Sequence, residues 1–310
     1  MDQDSKYINR VQGYTDTLHD VYVKALRLDP FEMLCTLLRV DATEDLDWEL
    51  YEDSRKAFEE GQGLNNIRAN DPLEKRGELT LYCHKVEMTA PHEMLANILR
   101  ILAYKDYLVK PFGCLGRPKS GLSFSWVGPT TQEKFSELKR QAKAVGEVKL
   151  SECIDQFFDE SLRSAISNSE YEFQDEFFNW TENGEKLQKP KDEVDETLYN
   201  GLAFYTAFLI NHNHFKMMFR EMPRLHKWPD YQVLEILSNE NTGLYGFNIH
   251  FPNGTKAEFS HSEEGITSQN IFHNPDGSIQ FNSGFHETEE EKWKINGEEI
   301  LDWQEFSNAT

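Results

Sequence analysis

Apolar residues recur at steps of three and four through most of the first 222 residues, and this spacing constrains the fold more than any other feature. In the first such segment it runs through Tyr7, Val11, Tyr14 and Leu18. Residues at these steps lie on one side of a helix, so the spacing is typical of an amphipathic helix. The sequence therefore predicts helices over these ranges: two within 5–41, then 43–58, 73–88, one from near 89 through 102, 131–145, 150–167 and 192–222.

The pattern changes after Pro229. Residues 231–303 are rich in Gly and Asn, and Phe247, Ile249 and Phe251 alternate with polar residues. Because successive side chains of a strand point to opposite faces, this alternation favours a half-buried antiparallel sheet. The C-terminal part of the chain is therefore predicted to be a β-meander or a small antiparallel sheet.

Short aromatic segments also flank Asn183-Gly184, a pair that is typical of tight hairpin turns. A β-hairpin is therefore predicted between the helix that ends near 167 and the helix that begins near 192. The resulting fold class is mainly α. It has a helical body over 1–228 with an inserted short β-hairpin, followed by a small antiparallel β-rich C-terminal domain over 229–310.

The composition narrows the function. Aromatic residues make up 13% of the chain, which favours a folded core over disorder. Acidic residues outnumber basic residues by 54 to 32, and the formal net charge of −22 argues against non-specific binding of DNA. Local groups of basic residues are interpreted as solvated helix faces: Lys139, Arg140 and Lys143, and Lys216, Arg220 and Arg224.

No targeting or membrane segment is predicted. The first residues are polar, and no apolar run approaches the roughly 18 residues that a membrane helix needs. The four cysteines are far apart and none has CxxC spacing, so no disulfide framework is predicted. The expected compartment is the cytoplasm, without contact to a membrane.

The sequence predicts neither a cofactor nor a metal centre. Residues 113–120 superficially resemble a phosphate-binding loop, but Pro118 stands where the loop needs a glycine and has no N–H to donate. His212 and His214 are two residues apart on a predicted helix and therefore point to different sides of it. A zinc-binding helix needs histidines four residues apart.

The most informative stretch is Leu162 to Tyr171, which reads LRSAISNSEY. The apolar stripe of its helix ends at Ile166, and the polar residues that follow are suited to the free carbonyls of a helix end. Arg163 lies near the last turn, where a cation is favoured. From the residues alone this is a capped helix end with a surface arginine.

The same stretch resembles the signature of HEPN-superfamily helical proteins, often written LRNAISHSEY. The resemblance extends over roughly 73–222, because an aromatic hairpin and a long closing helix follow the motif. Arg163 matches the family arginine, Tyr171 matches the final tyrosine, and Ser164 stands at the polar position after the arginine. Asn168 occupies the position of the family histidine.

The resemblance implies a helical bundle that forms a homodimer through the Arg163 helix. In HEPN ribonucleases the arginine stabilises the phosphorane and the histidine transfers protons, without a metal. Asn168 can hydrogen-bond but cannot titrate. The resemblance therefore implies a degenerate protein that binds RNA or a protein partner without cutting, in a defence or toxin–antitoxin context.

Two alternatives remain open, and with them the question of whether the protein is an enzyme. One is an active metal-independent ribonuclease that uses Arg163 together with Glu160, Tyr171 or a histidine from elsewhere. The other is an acidic interaction protein or nucleic-acid mimic, which the net charge of −22 suggests.

Overall fold

The computed structural model combines a largely helical first part with an antiparallel sheet near the C-terminus, which confirms the predicted mixed layout. It describes residues 3–40, 72–118, 126–174, 176–182, 184–222, 225–228, 232–241, 243–251, 254–262, 265–282, 293–295 and 298–300. The predicted helix over 43–58 lies outside these residues.

The predicted breaks between helices agree with those of the structure at most positions. The first two helices separate at Asp29, immediately before Pro30, because a residue that precedes proline disfavours the helical conformation. The helices are α1 Gln3–Leu28, α2 Pro30–Leu38, α3 Pro72–Glu87, α4 Thr89–Leu102, α5 Thr131–Ala144, α6 Val148–Phe157, α7 Glu160–Ser167 and α8 Lys191–Glu221.

The chain forms two compact units. The first unit contains the described residues of Met1–Asp29, Leu46–Lys105 and Phe112–Asn211, and the second contains those of Pro30–Asp45, Asp106–Pro111 and His212–Thr310. The long helix α8 therefore contributes to both units.

The first unit is held by aromatic packing between its helices. Tyr14 of α1 meets Phe204 of α8 edge to face, with ring centroids 5.7 Å apart. Phe157 at the end of α6 stacks on Phe204 at 4.5 Å, and Phe135 of α5 meets Phe157 at 5.6 Å. All four rings are buried, and large buried rings dominate the energetics of such a core.

The prediction of one continuous helix over 150–167 was wrong. Phe158 and Asp159 have extended backbone conformations and separate α6 from α7. The Asp159 side chain accepts a hydrogen bond from the N–H of Leu162 at 3.0 Å and so caps the new helix. The Tyr82 hydroxyl donates at 2.8 Å to the Phe157 carbonyl, one of the carbonyls at the end of α6.

The predicted hairpin is present, and a third strand extends it into a sheet. The strands are β3 Tyr171–Gln174, β4 Phe177–Glu182 and β5 Glu185–Pro190, which pair antiparallel in the order β3-β4-β5. Glu182 pairs with Glu185 across the turn, where Gly184 has a φ of +83°. This left-handed conformation explains the glycine, because residues with a side chain rarely adopt it. Two shorter strands, β1 Arg117–Pro118 and β2 Trp126–Val127, precede this sheet.

The second unit contains a five-stranded antiparallel sheet and shorter strands after it. The strands of this part of the chain are β6 Leu225–Trp228, β7 Gln232–Asn239, β8 Gly243–His250, β9 Lys256–Ser262, β10 Gly265–Gln269, β11 Ile271–His273, β12 Ile279–Phe281, β13 Trp293–Ile295 and β14 Glu298–Ile300. The five-stranded sheet has the order β10-β9-β8-β7-β6. Phe247 of its central strand is fully buried, and the Phe247 ring meets Phe31 of α2 and Phe281 at 5.7 and 5.8 Å.

Gly246 in β8 leaves no room for a side chain. A Cβ at this position would lie 2.4 Å from the Phe259 carbonyl oxygen and 2.7 Å from the Ser260 Cα, so the backbone of β9 would have to move. We expect Gly246→Ala to lower the free energy of unfolding by about 2–3 kcal/mol, measured by urea denaturation. As a control, Gly13→Ala in α1 meets nothing within 4 Å and should raise stability by about 0.5–1 kcal/mol. Equal effects of the two substitutions would contradict the steric argument.

Candidate functional site

Helix α7 and the residues that follow it contain the whole stretch that the sequence singled out. Asn168 is the C-cap residue of α7, and Ser169 after it has a left-handed φ of +57°. The N–H of Ser169 donates to the Ile166 carbonyl at 3.0 Å, and the N–H of Glu170 donates to the Ala165 carbonyl at 2.9 Å. These two bonds form a Schellman motif, which satisfies the last carbonyls of the helix.

The guanidinium of Arg163 is bound by two carboxylates. Its Nε and Nη2 donate to the two carboxylate oxygens of Glu160 at 3.0 and 2.6 Å. Its Nη1 donates at 2.5 Å to Oε1 of Glu87, the last residue of α3. The hydrogen bonds to Glu160, and to a smaller extent the one to Glu87, raise the pKa of Arg163 above its ordinary value despite the opposing effect of burial. The arginine side chain is only 18% exposed.

Glu87 receives a second donor from α7. The Ser167 hydroxyl donates at 3.3 Å to the same oxygen, Oε1, that Arg163 binds. Arg163 and Ser167 are four residues apart and so lie on one side of the helix. Two donors of α7 therefore converge on one carboxylate oxygen of another helix.

Asn168 directly follows α7, and its side chain contacts a different side of the helix from the side of Arg163. Its amide donates to the Ser164 hydroxyl at 3.5 Å, a long contact between residues four positions apart. Arg163 and Ser164 are separated by about 100° around the helix axis. Arg163 and Asn168, the two key positions of the motif, therefore have different side-chain partners among the described contacts.

Cys83 is a residue of this region that the sequence did not connect with the motif. Its thiol lies 3.7 Å from the backbone carbonyl of Arg163, and burial raises its pKa to about 11. The protonated thiol is a poor nucleophile, because the thiolate is the reactive form. Cys83 and Glu87 are one helical turn apart on α3, which packs against α7. This spacing was the only signal in the sequence that both residues face α7.

Tyr171, the fourth candidate of the motif, is part of the aromatic face of the three-stranded sheet. Its ring stacks on Phe178 at 5.0 Å and meets Phe173 edge to face at 5.7 Å. The Lys191 ammonium lies 5.8 Å from the centre of the Phe173 ring. Tyr171 is half-buried in this cluster, and the described contacts give it a packing role.

Two of the basic residues that the sequence raised have acidic partners. Arg140 is bound by both carboxylate oxygens of Glu137, and Lys139 pairs with Asp155 at 2.7 Å. Within the described ranges, no three His, Cys, Asp or Glu side chains are grouped so that they could hold a metal ion. Likewise, none of the helices in those ranges has both the length and the apolarity of a membrane span.

The chemistry of the site follows from its charges. One guanidinium stands against the two carboxylates Glu87 and Glu160, so these three groups carry a net charge of −1. Proton transfer near neutral pH needs a group that titrates there, and neither the Asn168 amide nor the buried Cys83 thiol is such a group. Arg163 and Ser167 offer hydrogen-bond donors to an anion, whereas Asn168 and Cys83 offer neither an acid nor a base at neutral pH. A comparison of the chain with models of protein families, with curated proteins and with solved structures found no match.

Proposed function

We propose that this chain is a HEPN-like protein that binds RNA without cutting it. The proposal rests on the motif from Leu162 to Tyr171 and on the order of elements around it. The motif helix α7 is followed by the small sheet β3-β4-β5 and then by the long helix α8, which is the order that the resemblance implies. The resemblance also implies a homodimer through α7, in a defence or toxin–antitoxin context.

The proposed absence of RNA cleavage rests on one observation. Asn168, at the position of the family histidine, is the C-cap residue of α7, and the Arg163 guanidinium donates three hydrogen bonds to Glu160 and Glu87. An amide cannot transfer protons, so Asn168 cannot act as the acid or base that RNA cleavage of this kind needs. This arrangement favours binding over the alternative of an active ribonuclease that uses Arg163.

A second candidate function is an acidic interaction protein that binds a basic protein. It is favoured by the net charge of −22 and by the excess of carboxylates around Arg163. Opposite charges steer such partners together, and salt weakens the attraction. Tight and salt-sensitive binding to a basic protein, with no affinity for RNA, would favour this candidate.

The first test is an RNA experiment with the full chain and the Arg163→Ala variant. We expect single-stranded RNA to stay intact with the wild-type protein, in the presence and absence of EDTA. We expect Arg163→Ala to weaken RNA binding about tenfold, because one charge-assisted hydrogen bond to phosphate contributes about 1.5 kcal/mol. The measurements are gel analysis of the RNA and fluorescence anisotropy.

The Arg140→Ala variant serves as the control, because it also removes an arginine that a carboxylate holds three residues away. We expect it to bind RNA as the wild-type protein does. Metal-independent cleavage that Arg163→Ala abolishes would overturn the proposal and would establish the ribonuclease. Equal losses of RNA affinity in the two variants would mean that Arg163 contributes to binding only through its charge.

A further inference from the structure

We propose that Glu87 is an internal occupant of a phosphate-binding site formed by Arg163 and Ser167, and that a phosphate group of RNA takes its place on binding. This inference rests on the proposed function and specifies how its site is regulated. The carboxylate of Glu87 stands in for the oxyanion of the ligand.

The donors of the site already have the arrangement that an oxyanion requires. Arg163 Nη1 and Ser167 Oγ, at 2.5 and 3.3 Å, both donate to Oε1 of Glu87. A guanidinium and a hydroxyl that converge on one oxygen form charge-assisted hydrogen bonds with phosphate as well as with carboxylate. A phosphate oxygen in the position of Oε1 would keep both bonds.

Glu87 is the carboxylate that can leave, whereas Glu160 is held more firmly. Glu160 is on the same helix as Arg163 and binds two of its nitrogens. Glu87 comes from α3, binds one guanidinium nitrogen, and has a side chain that is 45% exposed. Its carboxylate can return to water at small cost, because partly exposed ion pairs contribute little to stability.

The helix dipoles at the site do not distinguish between the two anions. Glu87 is the last residue of α3, and Ser167 is the last residue of α7, so the site lies at two helix C-termini. An anion is disfavoured there by the helix dipoles, and this cost applies to the carboxylate and to a phosphate alike. Glu87 therefore acts as a competitor of the ligand at Arg163, and its removal should strengthen phosphate binding.

The experiment compares Glu87→Gln with Glu137→Gln in the full chain. Glu137 is the matched control, because it also binds a nearby arginine, Arg140, and its substitution removes the same charge. The probes are a fluorescent 12-nucleotide oligouridylate, followed by anisotropy at low salt, and inorganic phosphate as its competitor. Loss of an exposed ion pair of about 1 kcal/mol predicts binding about three- to tenfold tighter in Glu87→Gln. We expect a smaller change in Glu137→Gln.

Two further measurements identify the residues of the site and the source of the phosphate. Adding Arg163→Ala to Glu87→Gln should abolish the gain, while thermal unfolding shows that each variant is folded. One outcome is that millimolar phosphate displaces the RNA from Glu87→Gln and binds as tightly as one phosphate group of the RNA. This outcome would point to a free phosphate ligand. RNA binding that such phosphate leaves in place supports an RNA phosphate.

Equal affinity of Glu87→Gln and Glu137→Gln for both probes would overturn the role of Glu87. This failure can be told apart from failure of the proposed function. Wild-type RNA binding that Arg163→Ala weakens, together with no gain in Glu87→Gln, would support RNA binding and reject the internal occupant. A gain in Glu87→Gln that persists after Arg163→Ala would reject the Arg163 site itself.

Discussion

We expect the free energy of unfolding to fall by about 2 kcal/mol between pH 7 and pH 5 through His92 alone, and a His92→Gln variant to lose this part of the pH dependence. His92 is in the first turn of α4 and is 1% exposed. Burial, and to a smaller extent the nearby charge of Lys134, lower its pKa to about 3. The folded protein therefore keeps this histidine neutral in mild acid.

The contacts of His92 explain why it resists protonation. Its Nε2 is 3.0 Å from the Tyr205 hydroxyl, and its ring meets Phe135 with centroids 4.5 Å apart. Its Nδ1 is buried and has no hydrogen-bond partner among the described residues, so a second proton would stand in an apolar environment. The first turn of a helix also disfavours a positive charge.

The direction of the effect follows from the two pKa values. An unfolded histidine takes up a proton near pH 6.5, whereas the folded one takes it up near pH 3. Between these values the unfolded state binds one more proton, so stability falls as the pH falls from 6.5 towards 3. Above pH 6.5 the contribution of His92 to stability is fully present.

The measurement is urea unfolding of the wild type and His92→Gln at pH 7 and pH 5. The glutamine amide keeps a polar group near Tyr205 but does not titrate, so the variant is less stable at pH 7 and has a flatter pH profile. His84→Gln is the control, because His84 is exposed on α3, and its pH profile should match that of the wild type. If the free energy of unfolding of His92→Gln fell with pH as steeply as that of the wild type, His92 would not be the source of this pH dependence.

Replacing Lys85 with methionine should raise the stability by about 2–3 kcal/mol at pH 7. Lys85 is in α3 and is 1% exposed. Burial lowers the pKa of its ammonium from 10.5 to about 8. Removing a buried charge in favour of an apolar side chain of similar length is often stabilising, even when a polar contact is lost.

The pH dependence distinguishes this charge effect from improved packing. At pH 7 both states carry the proton, so the folded state bears the full cost of the buried charge. Between pH 8 and pH 10.5 the unfolded state binds more protons than the folded state, and the wild type becomes more stable relative to the variant. The advantage of Lys85→Met should therefore shrink by about 2 kcal/mol at pH 9.5, which is most of it.

Lys143→Met is the control, because Lys143 is exposed near the end of α5 and its substitution should change stability by less than about 0.5 kcal/mol. Urea unfolding at pH 7 and pH 9.5 gives both differences. A Lys85→Met protein that is less stable than the wild type at pH 7 would mean that the contacts of Lys85 outweigh its desolvation. An advantage that is equal at the two pH values would mean that packing, and not charge, is responsible.

Several elements could be predicted because they depend on residues that are close in sequence. The break at Asp29-Pro30, the turn at Gly184 and the long helix α8 each follow from local backbone preferences or from a helical repeat of apolar residues. The same reasoning failed at Phe158 and Asp159, because the apolar spacing continues across the break between α6 and α7. Periodicity alone does not detect a break that leaves the buried face uninterrupted.

The candidate site could also be predicted only in part. The motif identified Arg163 and Asn168 and placed both near a helix end, because a helix end is a local feature with local signals. Glu160 is a local partner of Arg163, but its other partner, Glu87, lies 76 positions earlier in the chain, and only the packing of α3 against α7 brings Glu87 and Arg163 together. The burial of Lys85 and His92 also depends on neighbouring helices, since no local pattern specifies what packs against a helix. The residue pattern therefore determined the elements and the motif, whereas tertiary packing decided which charges are buried and that Glu87 binds Arg163.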